Sequence, residues 1–452
     1  MPFRWDVREH VALAGFAVKW VAIAAPVAAV IGSACALFLW LLEVATRTRE
    51  GHPWLLWLLP VAGVAIVAVY RSVGRSSQAG NNLIMEEIHE PGAGAGAGVG
   101  AEAGPRPGVP AAMAPLILMS TVVTHLFGGS AGREGTAIQM GGSIAAQFGR
   151  WLRLSPDDTR RLLMVGVAAG FGGVFGTPLA ATVFAMEVLF IGRVSYDAML
   201  PCLVAGVVGD WGCRVWGVHH TAYHVALGPA AFEWITAGKV AIAAVAFGLA
   251  SVLFAELTHG LSHLWRRWVK WELARPVLGA GVVIALVYLL GTRDYLGLGV
   301  TSPDGGVSIV SSFTPGGADP LSWWWKLLFT AVTLSCGFKG GEVTPLFFIG
   351  ATLGHTLGAA MGEPVDLFAA LGFVAVFAGA TNTPLACAIM GIELFGSGHV
   401  VYLAIACFGA YLFSGHSGVY LSQRIGTPKV AGFAQEQAML RQHREHRWGV
   451  RR

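Results

Sequence analysis

Long apolar runs recur along this chain, and they restrict its fold more than any other feature. Examples are VAIAAPVAAVIGSACALFLWLL from Val21, WLLWLLPVAGVAIVAVY from Trp54, VAIAAVAFGLASVLF from Val240 and VVYLAIACFGAYLF from Val400. A helix needs roughly 20 apolar residues to cross about 30 Å of hydrocarbon. In lipid the backbone has no water to bond, so each crossing segment must satisfy its own N–H and C=O groups. Composition agrees: 55% of the residues are hydrophobic and 12% charged, where an ordinary soluble domain carries about 25% charge. The expected fold class is therefore all-α, a polytopic helical membrane protein.

The charges that remain are placed at the ends. The opening MPFRWDVREH mixes both signs and shows no small-residue cleavage pattern, so no removable signal peptide is expected. Arg4 and Arg8 at one end, with RQHREHRWGVRR at the other, place both termini in the cytoplasm of a multi-pass protein of the cell inner membrane. So short a tail reads as a topology determinant and not as a nucleic-acid arm. The six cysteines lie singly in apolar stretches, with neither a disulfide framework nor a zinc spacing. Pro91–Pro110 is a Gly/Ala/Pro-rich aqueous loop, and Thr292–Pro320 is a second polar break. The expected organisation is one transmembrane domain, residues 1–430, followed by a basic cytoplasmic tail, residues 431–452.

Two segments resemble each other. GVAAGFGGVFGTPLAATVFAME from Gly166 and GFVAVFAGATNTPLACAIMGIE from Gly372 share nine identities in 22 positions at a constant offset of 206. The shared positions include Gly166/Gly372, the ungapped Thr-Pro-Leu-Ala core and Glu187/Glu393. Upstream of each stands a similar turn, GREGT at Gly132 and GEVTP at Gly341. A duplicated half with interrupted helices marks transporters built from structural repeats, which bind substrate near the bilayer midplane between broken helices. The expected repeats run from about residue 20 to 215 and from 238 to 430.

Within SAGREGTAIQMGG the glycines end one helix and put Glu134 in the first turn of the next, where free N–H groups and the helix dipole favour an anion. A carboxylate placed there either caps the helix or gates an anion, and the residues alone leave both readings open. Glu342 repeats the device in SCGFKGGEVTPLFF, as an acid on an ion path, a helix cap or a partner of Lys339. Asn81 and Asn82 offer uncharged amide donors suited to a strongly hydrated anion, or form a plain turn. Glu86, Glu87, His89 and Glu90 read as a solvated end, so no metal or cofactor is expected. Glu187 and Glu393, at matching repeat positions, read as structural acids with basic or backbone partners. His219 and His220 fall in a loop. A Gly-His-Ser-Gly tetrad at Gly415–Gly418 is the one enzyme-like feature, but Ser417 lacks a base on a later membrane helix, so the chain does not read as an enzyme.

Together these motifs resemble the CLC superfamily of anion channels and proton-coupled antiporters. GREGT is similar to its G-[KR]-E-G-P segment, GEVTP to its G-x-F-x-P segment, and AGNNLI stands where most members carry G-S-G-I-P. The resemblance implies an inverted-repeat fold with broken helices and a homodimer with one pore per subunit. GNNLI, GREGT and GGEVTPLFFIG resemble in particular the fluoride-exporting branch. That branch implies Asn81 at the central anion in place of a serine, and Tyr420 as the pore tyrosine. It also implies Glu134 as the gate, and Glu342 with Thr344 as the third-motif pair. The backbone of Gly132, Arg133, Gly135 and Val343 completes the anion-binding set. Many chloride/proton exchangers carry a second acid where this chain has Val188.

The function so implied is fluoride/proton antiport, with fluoride and protons as substrates; the alternative is a chloride/proton antiporter or passive chloride channel of the same fold. Glu134 would compete for the anion site when ionised, and vacate it and carry a proton when neutral. Glu134→Gln is therefore expected to abolish proton coupling. Proton-coupled flux at the parent rate from this variant, reconstituted in liposomes, would remove Glu134 from the gating role.

Overall fold

The computed structural model describes residues 7–90, 108–221, 223, 225, 232–302 and 305–448. Most of the Gly/Ala/Pro-rich loop, Arg4 and the last four residues lie outside them. Sixteen α-helices follow one another among the described residues. The first half holds α1 (Val7–Gly51), α2 (Leu59–Ser72), α3 (Asn81–His89), α4 (Met113–Leu126), α5 (Glu134–Trp151), α6 (Pro156–Phe175), α7 (Pro178–Glu187) and α8 (Met199–Arg214). The second holds α9 (Trp234–Trp268), α10 (Ala274–Leu290), α11 (Ser322–Ser335), α12 (Val343–Met361), α13 (Val365–Thr381), α14 (Pro384–Phe395), α15 (Val400–Phe413) and α16 (Leu440–Trp448). Two-residue strands β1 (Phe190–Ile191) and β2 (Arg424–Ile425) pair in parallel.

Four helical stretches, Val7–Gly51, Pro53–Ser72, Trp234–Trp268 and Val343–Met361, are long and apolar enough to cross a membrane, and six more apolar helices are too short to do so. Short helices are what the Gly- and Pro-bearing turns demand. Pro178 and Pro384 start α7 and α14 at the first turn, where a missing N–H costs nothing. Helix α13 is buried along nearly its whole length, as an all-apolar helix at the centre of a bundle should be.

The sequence-related segments touch each other reciprocally. The Gly132 N–H donates to the Gly341 carbonyl (2.6 Å) and the Gly341 N–H donates back to Gly132 (2.8 Å). Farther along, the Glu187 carboxylate accepts from the N–H groups of Leu385 (3.1 Å) and Ala386 (2.8 Å), capping α14. Glu393 does the same for α7 at Leu179 (2.9 Å) and Ala180 (2.8 Å). Each acid thus supplies the orphan donors of the other segment's helix, and the backbone partners expected for Glu187 and Glu393 are these.

The Gly166/Gly372 identity has a packing cause. Helix α5 crosses α6 where Gly141 meets Gly166, and α12 crosses α13 where Gly350 meets Gly372; a Cβ on any of the four would overlap the opposite glycine's carbonyl oxygen. Small residues let helix backbones approach this closely, which drives association in lipid. Gly372→Ala is expected to cost about 1–3 kcal/mol through overpacking and to lower the thermal midpoint in detergent. The control Gly281→Ala, which meets nothing within 4 Å, leaves the midpoint unchanged.

Candidate functional site

Two helix N-termini, those of α5 and α12, face each other across the Gly132–Gly341 bridge. The turn before α5 is pinned from several sides. His125 bonds the carbonyl of Ala131 through Nε2 (2.9 Å) and that of Thr121 through Nδ1 (2.8 Å). The Ser130 hydroxyl meets Thr330 (2.9 Å), and its N–H donates to Thr333 (3.2 Å). Behind it, the Gly297 N–H donates to the Gly129 carbonyl (3.2 Å), and the buried Lys326 ammonium donates to Gly297 O (2.8 Å). These supports escaped the sequence reading. His125 inside VVTHLF was the available signal, since an ionisable residue in a membrane helix marks function or structure near it.

The Glu134 side chain is fully buried and reaches across to α12. Its Oε2 accepts from the Thr344 hydroxyl (2.6 Å), the Thr344 N–H (3.0 Å) and the Arg133 N–H (3.3 Å). Its Oε1 lies 3.4 Å from Arg133 Nε. A carboxylate held by backbone N–H groups and a hydroxyl at a helix start is occupying an anion cradle. Among the anion-set backbone groups, the Gly132 N–H is bonded to Gly341 and the Arg133 N–H points at Glu134.

Behind this carboxylate, three buried polar atoms have no hydrogen-bond partner among the described residues: Asn81 Oδ1, Glu342 Oε2 and Tyr420 Oη. Asn81 Nδ2 and Glu342 Oε2 both lie 3.2 Å from the point a Cβ on Gly135 would occupy. The missing side chain of Gly135 therefore leaves a gap between an amide donor and an acid. Glu342 precedes α12 without capping it, and Lys339 lies over the Tyr70 ring, 4.4 Å from its centroid. Unpartnered buried polar atoms are costly; Asn81 and Glu342, which carry two of them, flank this gap, and Asn81 shares a second, small cavity with Tyr420. Asn82, the other amide, is engaged with the Ser422 N–H (2.9 Å).

The two sides of Glu134 differ. On one, Arg133 lines a cavity of about 1000 Å³ together with Glu43, Arg47, His219 and His220. On the other, Asn81 and Tyr420 close on a cavity of about 10 Å³ whose remaining walls, Met85, Phe184, Val188 and Leu189 among them, are apolar. That space is at the lower limit for one water. No acid lines it, and Val188 is one of its apolar walls.

Ser417 Oγ donates to Glu256 (3.3 Å) beside a cavity of about 10 Å³ that His443 also lines. All six cysteines are free and buried, and among the described residues no cluster of three potential metal ligands occurs.

Comparison with known proteins bears on this site. The family model described as voltage gated chloride channel matches residues 79–415. A chloride/fluoride channel protein of Pseudomonas syringae pv. tomato is 47% identical over 421 residues, 93% of this chain and 90% of the relative. The crystal structure of a CLC-type fluoride/proton antiporter superposes with a TM-score of 0.82 at 32% identity, covering 93% of this chain and 99% of the other. A slow cyanobacterial Cl⁻/H⁺ antiporter shares the fold alone, with a TM-score of 0.72 at 18% identity over 88% of this chain and 94% of the other.

The gap beside Gly135 generates a sharp test. Gly135→Ala puts a methyl between the Asn81 amide and the Glu342 carboxylate while suiting the helix. Anion flux in liposomes is expected to fall about tenfold or more, equivalent to ~1.4 kcal/mol of barrier, in protein that still folds, although the methyl also meets the Gly341 Cα at 3.0 Å and lowers the thermal midpoint. Parent-level flux would mean that nothing passes through this gap.

Proposed function

The chain belongs to the voltage gated chloride channel family, and on that premise we propose that it is a fluoride/proton antiporter exporting cytoplasmic fluoride. An anion/proton antiporter of the CLC type is the coarser reading its relatives support. The observation that carries the proposal is the seat of Glu134 on Thr344, with Asn81, Glu342 and Tyr420 unsatisfied behind it. Ionised, the carboxylate fills the cradle that a small anion needs. Protonated, it loses the charge that binds it there, leaves, and takes its proton with it. The cradle is then free for the anion, and the two ions cross in opposite directions.

Fluoride is favoured over chloride by the donor chemistry. A small anion with a tight hydration shell gives up water only for strong, convergent donors, and the Asn81 amide, the Tyr420 hydroxyl and the Thr344 hydroxyl are of that kind. Glu342 holds an acid within reach of the same gap, and serves proton transfer there in place of an inner acid at position 188. The superposed structure is named a fluoride/proton antiporter and the Pseudomonas relative a chloride/fluoride channel protein; the first supports this choice, and the second names both anions. HF enters cells as a neutral weak acid from acidic surroundings and dissociates inside, so an inward proton gradient driving fluoride out has a clear purpose.

The same reading makes residues 20–215 and 238–430 inverted repeats, a relation the reciprocal Glu187/Glu393 caps support. It also makes the protein a homodimer of the inner membrane with both termini cytoplasmic. The exposed apolar residues Leu179, Leu203, Val207, Leu385, Phe408 and Leu412 on α7, α8, α14 and α15 supply a surface for the second copy.

Efflux from liposomes loaded with equal fluoride and chloride, with valinomycin clamping the voltage and pH recorded, tests the proposal. Fluoride efflux well above chloride, with protons moving oppositely, is expected. Fluoride flux without proton movement makes Glu134 the gate of a channel, and chloride outrunning fluoride assigns the chain to chloride.

A further inference from the structure

The segment after Tyr420 is bound by a part of the chain that plays no role in the transport scheme above. Residues 437–441 run along it: the Gln437 N–H donates to Ile425 O (2.8 Å), the Ile425 N–H to Ala438 O (3.0 Å), the Leu440 N–H to Gln423 O (2.8 Å) and the Arg441 N–H to Leu421 O (2.9 Å). Leu440 is 1% exposed and packs on Ile191 and Ile425, a small apolar cluster apart from the main core. Within the segment expected to be a basic cytoplasmic tail, residues 437–444 are docked on the transmembrane domain.

Its charged side chains reach the two elements that carry the inner anion contacts. Arg441 Nη2 lies 3.5 Å from Glu86 Oε1 on α3, the helix that begins at Asn81, and the same oxygen accepts from the Ser422 hydroxyl at 2.6 Å. Arg444 donates twice to Glu256 Oε2, at 3.0 and 2.9 Å, while the other oxygen of Glu256 accepts from Ser417 at the start of the Tyr420 loop. Ser422 bonds to Asn82 and Glu86, and Arg424 pairs with Glu90, so α3 is tied to the loop; Arg441 joins the tail to that tie at Glu86, while Arg444 reaches the loop through Glu256 on α9. The tie matters because the cavity between Asn81 and Tyr420, about 10 Å³, passes no anion until α3 and the loop separate.

We propose that residues 437–444 are a positioning latch that sets the separation of Asn81 from Tyr420, acting through Glu86, Ser422 and Glu256, and so keeps anion passage tied to proton passage. This rests on the transport reading above. The latch is polar and shallow, so it yields and re-forms within a transport cycle, whereas the buried Gly350–Gly372 crossing does not. None of its residues touches the anion path; they act through the loop and α3.

The test pairs two variants, Arg441→Ala/Arg444→Ala and Leu440→Ala, with two measurements. Both ion pairs are only partly buried, so the double-arginine variant keeps the fold; Leu440→Ala empties a buried site outside the main core, and if it fails to fold the double-arginine variant alone decides. Hydrogen exchange of the amides of residues 421–425 is expected to quicken about tenfold or more in each variant. Fluoride moved per proton and chloride moved per fluoride are both expected to rise several-fold. Unchanged exchange overturns the latch, and faster exchange with parent coupling and selectivity overturns its role in positioning. If the parent itself moves no protons against fluoride, the proposed function fails instead, and the latch is then judged on exchange together with anion selectivity.

Discussion

A carboxylate at membrane depth must be surrounded by donors or it will not stay ionised, and the Glu134 contact with Thr344 is where this structure meets that demand. Hydrogen bonds to a charged group are worth about 1.5–3 kcal/mol each, and here they join residues 210 positions apart. Their formation requires two helix N-termini to point at one spot. The paired Gly132–Gly341 bonds set the approach, and His125, Ser130, Thr330 and Thr333 hold the turn on one side. The glycine crossings of α5 with α6 and of α12 with α13 bring the helices themselves close enough. Most of the fold's unusual backbone can be traced to this requirement.

A path blocked unequally is the consequence. Arg133 faces a wide cavity with mixed polar and apolar walls, while Asn81 and Tyr420 stand over a narrow, largely apolar one. Glu134, seated on Thr344, is buried beside Arg133. Opening the narrow side means parting α3 from the Tyr420 loop, and nothing in the packing of α12 on α13 has to change for that. The helix pairs are glycine-tight, whereas α3, the Tyr420 loop and residues 437–441 meet through a strand-like seam with one small apolar cluster.

Much of this was legible beforehand. The apolar runs announce membrane helices, and glycines and prolines announce where they break. The matching Thr-Pro-Leu-Ala segments announce a duplication, and the acid after each has the backbone partners such a position suggests. Glu134, Glu342, Asn81 and Tyr420 could be picked out, by motif and resemblance, as candidates. What could not be read was which donor each would meet. Glu187 and Glu393 looked like two copies of one feature, yet each caps the helix of the other copy. Arg441 and Arg444 looked like topology signals, because charge placement is visible in a string and the acids waiting for those charges, Glu86 and Glu256, are distant in it.

The division has a physical reason. Hydropathy, helix breaking and repeat identity are properties of short windows, since they follow from the solvent each side chain prefers and the dihedrals each backbone tolerates. The sequence by itself therefore determined that this is a helical membrane protein with interrupted helices and buried acids at their starts. Pairing across 200 residues depends on how whole helices cross, which is a balance of many small contacts summed over the bundle. Only the tertiary structure decided that Glu134 sits on Thr344, that Gly135 lies between Asn81 and Glu342, and that residues 437–441 return to bond Leu421, Gln423 and Ile425.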